Sequence, residues 1–240
     1  MLGIVLAFIG FTFADTPYEN YKARSSDRWT IANWFETKRQ VRLMDQWLSR
    51  HRKSKNIMDL DLSFSYLSDE TKTKNFDTST ANTSTDYYGG NFAFYLYFIG
   101  VEAEYYEDVD ESENRHYAGS AHIRLLGTSN QTTRISIFYG KEFIENMNLV
   151  WHPTFYGARL TVYITNFLGI EGTYQKYIEE DTDLDYVGNG DKKDFSVFVD
   201  IYFLRLFAKW VDENREYKNQ LDQTQEEDHK GFEARLRFYF

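Results

Sequence analysis

The chain has 240 residues, with 37 Asp/Glu against 27 Lys/Arg for a net charge of −10, no Cys, 2 Pro, 20 Phe and 19 Tyr. No stretch approaches the ~20 apolar residues that a membrane-spanning helix needs, which excludes a helical membrane protein. The lack of Cys excludes a disulfide scaffold, and the acidic balance disfavours nucleic acid as a partner. An aromatic fraction of 18% suits a β-barrel with aromatic girdles at two membrane interfaces. Charge divides unevenly along the chain. Residues 1–55 carry ten Lys/Arg and five acids, net +5, so the remainder is net −15 and has different surroundings.

Residues 1–14 (MLGIVLAFIGFTFA) read as the apolar region of a secretory signal, with Thr12 and Ala14 as a small-x-small cleavage site before Asp15. The positive flank expected ahead of it is missing, and the competing reading is a buried N-terminal strand or helix. Residues 15–55 form a second segment. Asp27 to about Arg52 predicts one amphipathic helix with Asp27 as N-cap. Trp29, Trp34, Val41, Met44, Trp47 and Leu48 share its apolar side, and Lys38, Arg39, Arg42, Gln46 and Arg50 share the other. Trp at a membrane boundary and cations against anionic headgroups are one use of that stripe. Packing on the barrel mouth or on a partner is the other.

From Ile57 onward the hydropathy alternates with period two, and ten strands are expected within residues 56–240: about 57–67, 87–98, 99–107, 116–126, 132–140, 154–165, 168–178, 194–203, 204–212 and 231–240. Short connections are expected at 98–100, 127–131, 166–169 and 203–205. Long ones are expected at 68–86, 108–115, 141–153, 179–193 and 213–230. The clearest strand is the last. Phe232, Ala234, Leu236, Phe238 and Phe240 fall on one face, and Glu233, Arg235 and Arg237 on the other. Phe98-Ile99-Gly100-Val101-Glu102 and Phe167-Leu168-Gly169-Ile170-Glu171 nearly repeat, Phe203-Leu204-Arg205 is a degenerate third copy, and all three sit at short turns.

These features make the chain resemble small bacterial outer-membrane β-barrels over about residues 57–240. The fold class is therefore all-β: an antiparallel up-and-down transmembrane β-barrel preceded by an amphipathic helix. The resemblance implies a place in the Gram-negative outer membrane with both termini periplasmic and the long loops outside. It also implies contact with outer-membrane lipid, and Phe240 as the signal read by the barrel-assembly machinery. The helix ahead of the barrel looks a little like that of the lipid A palmitoyltransferase, but no catalytic set of that family can be matched.

With apolar positions facing outward, the lumen should hold Asp59, Asp61, Glu102, Glu104, His122, Arg124, Arg134, Arg159, Glu171, Asp200, Arg205, Lys209, Glu233, Arg235 and Arg237. Buried charges must pair or they cost several kcal/mol each, so a narrow barrel would fill its lumen with ion pairs. A path for ions or small solutes lined by the same groups is the alternative. His122 with Glu102 or Glu104 would suit a base and its orienting group, or a satisfied lumen histidine. No Gly-x-Ser-x-Gly or His-Glu-x-x-His pattern occurs, and no catalytic residue is singled out. Asp181, Asp183 and Asp185 echo a calcium loop, but Tyr186 and Lys192 stand where Gly and Glu are required. That leaves loose Ca²⁺ or Mg²⁺ binding or a solvated acidic loop, and no other cofactor is expected. Three functions stay open. They are a structural or surface-interacting barrel with a mostly plugged lumen, a narrow porin-like channel, and a lipid-modifying enzyme or protease. The ligand of the surface loops is not legible.

Overall fold

The computed structural model describes residues 30–31, 58–74, 79–110, 114–127, 129–146, 149–182, 186–219, 221 and 223–240. The leader, Trp29, Trp34, Arg39, Arg42 and Trp47 of the expected helix, and Asp183 and Asp185 lie outside these residues. The strands are β1 (Met58–Lys74), β2 (Thr80–Leu96), β3 (Ile99–Asp108), β4 (Arg115–Leu126), β5 (Arg134–Asn146), β6 (Leu149–Trp151), β7 (Thr154–Tyr163), β8 (Leu168–Asp181), β9 (Val187–Ile201), β10 (Leu204–Lys218) and β11 (Thr224–Tyr239). Every pairing among them is antiparallel. The order β4-β3-β2-β1-β11-β10-β9-β8-β7-β5 closes on itself through β4–β5. β6 pairs with the top of β5, its Trp151 bridges to Thr182 just past β8, and it continues the line of β7 across His152 and Pro153, so the ring has ten staves. Around the band between the aromatic rings the closed ring leaves no unpaired edge, which is what lets strands stand in lipid. Phe240 completes the seam, exchanging backbone hydrogen bonds with Leu60.

The outer wall explains why these residues are strands. On each stave the outward positions carry Leu, Ile, Val, Phe or Ala, and many are half-exposed: Leu62, Phe64, Phe92, Val101, Ile123, Leu160 and Leu206 among them. No charged residue points outward within this band. One exposed aromatic closes it on every stave: Tyr66, Tyr88, Tyr105, Tyr117, Tyr139, Tyr156, Tyr174, Phe195, Trp210 and Phe232. Tyr97, Phe98, Phe167, Tyr202, Phe203 and Phe240 ring the opposite end. On β1 the band runs nine residues, Met58 to Tyr66, or roughly 23 Å at ~3.3 Å per residue and ~40° tilt. A charge-free belt of that height between aromatic rings is a lipid-facing surface.

The turn end is built tightly. Tyr97-Phe98 and Tyr202-Phe203 are two-residue turns with Tyr97 and Tyr202 at positive φ (53° and 55°), so two of the near-repeats share one backbone solution. The loop end differs from the sequence-based expectation. The stretches 68–74, 80–86, 141–146, 187–193, 213–218 and 224–230 are strand, not loop. Above the aromatic ring most positions on both faces of β1, β2, β9 and β11 are polar, so the period-two signal that marks a strand fades although the pairing continues. Thr30, also at the turn end, is buried and forms a parallel bridge to Tyr163 of β7.

Candidate functional site

The lumen is the first candidate, and its contents follow from the alternation. Of the fifteen charged residues expected inside, twelve are buried, and Glu104, Arg159 and Lys209 are half-buried. Ten of the staves' inner faces meet in three tiers.

The tier nearest the turn end is organised by the β4–β5 connection. Gly127, at φ 94°, turns the chain inward, and Ser129, Asn130, Gln131 and Thr132 are all buried. Asn130 is the hub. Its side-chain amide donates to Asp61 Oδ2 (2.6 Å) and its backbone N–H to Asp59 Oδ2 (3.1 Å). Its Oδ1 accepts from Arg124 (2.7 Å) and from Arg134. Arg124 also reaches Asp59 (3.2 Å) and the Tyr97 carbonyl (2.8 Å). Beside it Arg205, fully buried, pairs with Asp200 (2.5 Å), takes the Tyr163 hydroxyl, and lies 3.9 Å from the centre of the Phe198 ring. The turn thereby ties β1, β4 and β5, and Arg205, which reaches the Asn130 carbonyl (3.5 Å), joins β10, β9 and β7 to it. Each charge in this tier has an opposite charge or an amide against it, which offsets the cost of removing it from water.

The middle tier holds Glu102, which takes Arg159 (2.9 Å), His122 (3.2 Å) and Asn91 (2.7 Å). Glu171 takes Thr161 (2.7 Å) and Arg134 (3.5 Å). Arg237 stacks 4.7 Å from the Phe207 ring centre. Above these, Glu233 is clasped by Arg235 (2.5 Å) and Lys209 (2.8 Å), and Arg235 reaches Glu104 (3.4 Å) and the Tyr106 hydroxyl (2.6 Å).

In the tier above the aromatic ring, Asp69, Glu142, Lys192, Glu213, Arg215 and His229 fall in stretches expected as loops, while His116 and Tyr177 fall in expected strands. Glu213 pairs with Arg215 (2.6 Å) and Lys192 (3.5 Å), and Glu142 with His116. His229 Nδ1 meets Asp69 Oδ2 (2.9 Å), with Glu227 at 3.6 Å from Nε2. Burial and the Arg215 guanidinium oppose a charge on His229. Asp69 and Glu227 outweigh them, so its pKa lies above the ordinary histidine value. On the other side of this tier Trp151 is wholly buried against Tyr177 and Tyr217, with Phe138, Phe155 and Ile144. Gly188 makes room for it, since a Cβ there would meet the indole at 2.7 Å.

Two small chambers remain between tiers, about 40 Å³ around Glu102, His122 and Arg159, and about 70 Å³ around Asp69, His229, Glu213 and Arg115. A water needs roughly 10–15 Å³ in such terms, so each holds a few waters.

No protein-family model matches the chain, and no curated protein does. Among solved structures it is similar to the outer membrane protease OmpT of Escherichia coli (TM-score 0.45, 11% identity, 76% of this chain and 96% of that one). It is also similar to the outer membrane protein OprG of Pseudomonas aeruginosa (0.30, 10%, 76% and 95%) and to Ail, the attachment invasion locus protein of Yersinia pestis (0.27, 9%, 76% and 98%). The fold rests on the closed strand pairing described above, and these likenesses carry no activity over to this chain.

His122 sits beside Glu102 as its spacing suggested, but it is 1% exposed and lies in the middle tier, between the Asn130 turn and the Trp151 cluster. Asp181 ends β8. Among the described residues no three His, Asp or Glu side chains converge as a metal site. The role of Asn130 had no signal in the sequence beyond Gly127, because a turn folded inward and a turn left in water use the same residues.

Proposed function

We propose that the chain is a closed barrel of the bacterial outer membrane, with both termini periplasmic, whose work is done at its loop end and not through its lumen. The observation that carries this reading is the Asn130 turn, which fills the turn-end mouth and bonds to Asp59, Asp61 and two arginines. Among the described residues, the chambers between the tiers above include two of about 40 and 70 Å³. A path for hydrated ions would have to break several charge-assisted pairs at once. The charge network stabilises the barrel from within, as the alternative to a filled apolar core. Thr30, inside the segment 27–52 expected to be helical, forms a β-bridge to Tyr163, and this contact supports a segment that meets the barrel's mouth over one that lies on periplasm-side lipid. Phe240, at the seam, is the contact offered to the assembly machinery.

Planar bilayers test the closed lumen. The purified protein is expected to be electrically silent, and a form with Ser129–Thr132 replaced by two glycines is expected to conduct. Steady single-channel conductance by the unaltered protein would overturn the reading in favour of the channel.

A further inference from the structure

β1 and β11 are the first and last staves, so they are joined by pairing alone. Above their ring aromatics, Tyr66 and Phe232, the seam runs on from Ser68↔Phe232 to Lys74↔Glu226 without a lipid-facing side to hold it. On its outer face Lys230, Lys72 and Lys74 stand opposite Glu70, Asp228 and Glu226. These pairs are solvated and hold little. The inner face is different. Leu60 and Phe240 exchange both backbone hydrogen bonds, so by alternation Glu70 with Lys230 and Lys72 with Asp228 do so too. Thr71 and His229, between them, form the kind of pair whose side chains approach closest. His229 Nδ1 is 2.9 Å from Thr71 Oγ1 and 2.9 Å from Asp69 Oδ2, and its Nε2 is 3.6 Å from Glu227. Asp69 is buried, and His229 and Glu227 are partly buried.

The charges facing this ring come from every wall around it. β1 supplies Asp69, and β11 itself supplies Glu227. β10 supplies Glu213, directly opposite His229, and Arg215, opposite Glu227 and paired with Glu213 at 2.6 Å. β9 supplies Lys192, 3.5 Å from Glu213. β2 offers Thr85 and Tyr87, and burial pushes the Tyr87 phenol up to about 12. Across the chamber of about 70 Å³, Asp108 takes the Asn114 amide, Glu142 takes His116, and Glu233 takes Lys209. Arg115, at the outer rim, stands between Glu107 and Glu145. The carboxylates of Asp69, Glu227 and Glu213 are therefore matched by Arg215, Lys192 and the imidazole, and only while the imidazole is charged. Its raised pKa agrees with that balance.

We propose that His229 is a proton-operated clasp on the β1–β11 seam, joining Asp69 of β1 to Glu227 of β11 when charged and releasing the loop-end part of the seam when neutral. The charged ring has an N–H for each carboxylate. The neutral ring keeps one, so a lone pair is turned toward Asp69 or toward Glu227, and one carboxylate loses its countercharge. The sign follows. A pKa above the ordinary 6.5 makes the clasp fully present below that value, and its contribution is lost as pH rises through the folded value. Acid keeps the rim closed over the chamber, and mild alkali frees it. The clasp adds a control to a barrel that works at its loop end, and it stands whether or not the lumen conducts.

Nuclear magnetic resonance on the full-length protein in detergent micelles reads both halves of the claim. The His229 ring protons give its titration. Amide exchange at Glu70, Lys72, Asp228 and Lys230, each taken relative to an unstructured chain at the same pH, gives the strength of the upper seam. Between about pH 5 and about pH 8, protection at these four amides should fall at least about threefold, with its midpoint on the His229 titration. Leu60 and Phe240, in the same seam within the lipid band, should not change. His229→Gln keeps an N–H but has no proton to lose, and should show the lower protection at both ends of the range. Protection that ignores pH, or that falls equally in His229→Gln, would overturn the proposal. So would a ring that titrates below the ordinary histidine value. If His229→Gln does not fold, the unaltered protein decides, because a loss of protection whose midpoint differs from the ring titration refutes the clasp.

Discussion

At the scale of single residues, one step along a strand decides between lipid and charge. In β9, Val197, Val199 and Ile201 face outward, while Ser196, Phe198 and Asp200 are buried in the lumen. Arginine at Val199 would stand in the hydrocarbon with no partner. Val199→Arg is expected to cost about 2–4 kcal/mol, read from urea titrations of folding into vesicles. Phe198→Arg should fail for another reason, since the new guanidinium would replace the ring that Arg205 lies against at 3.9 Å. That loss would be sensitive to a compensating change at Arg205, whereas the loss at Val199 would not. If Val199→Arg were as harmless as arginine in an exposed loop, the outward face of β9 would not be in lipid.

Among the elements, the β4–β5 connection does most to set the character of the lumen. Its seven residues could have closed a hairpin in water, yet Ser129 to Thr132 are buried because Asn130 replaces the water that Asp59, Asp61, Arg124 and Arg134 would otherwise need. Asn130→Ala removes three side-chain hydrogen bonds to charged groups and leaves those charges short of partners. A cost of about 2–4 kcal/mol is expected. Brief current steps in planar bilayers should accompany it, because the turn would no longer be held in the mouth. A variant as stable and as silent as the parent would show that the other buried turn residues suffice. The upper halves of β1, β2, β10 and β11 make the complementary case. They are strand without a hydrophobic face, held by ladder pairing with neighbours that lipid-facing residues below have already aligned.

For the whole molecule, the ring fixes which connections lie together. The turns at 97–98, 127–133, 164–167 and 202–203 share one end with Met58 and Phe240, and the connections at 75–79, 109–114, 182–186 and 219–223 share the other. Tags at 75–79 and at 219–223 are expected to be reached on intact cells, and tags at 98 and 166 only after the outer membrane is opened. Labelling of residue 98 on intact cells would invert the barrel.

How much of this was legible in the chain follows from where a single physical rule held. Wherever one face of a stave met lipid and the other the lumen, alternation was strict, so the ten staves, the outward side of Val199, the inward side of Glu233, Arg235 and Arg237, and Phe240 at the end of a strand could be read from residues alone. Where both faces are polar, as around Asp69, Arg215 and His229, the same strands have no hydropathy period and read as loops. Which charge meets which was also beyond the sequence, since Asp59 and Arg124, or Glu102 and Arg159, are brought together only by closure of the ring. Local sequence determined the barrel because hydration of each side chain is a local property. The plug at Asn130 and the unequal heights of the staves came from the tertiary structure, because they depend on stave register around a closed circle, and no segment of the chain carries that information by itself.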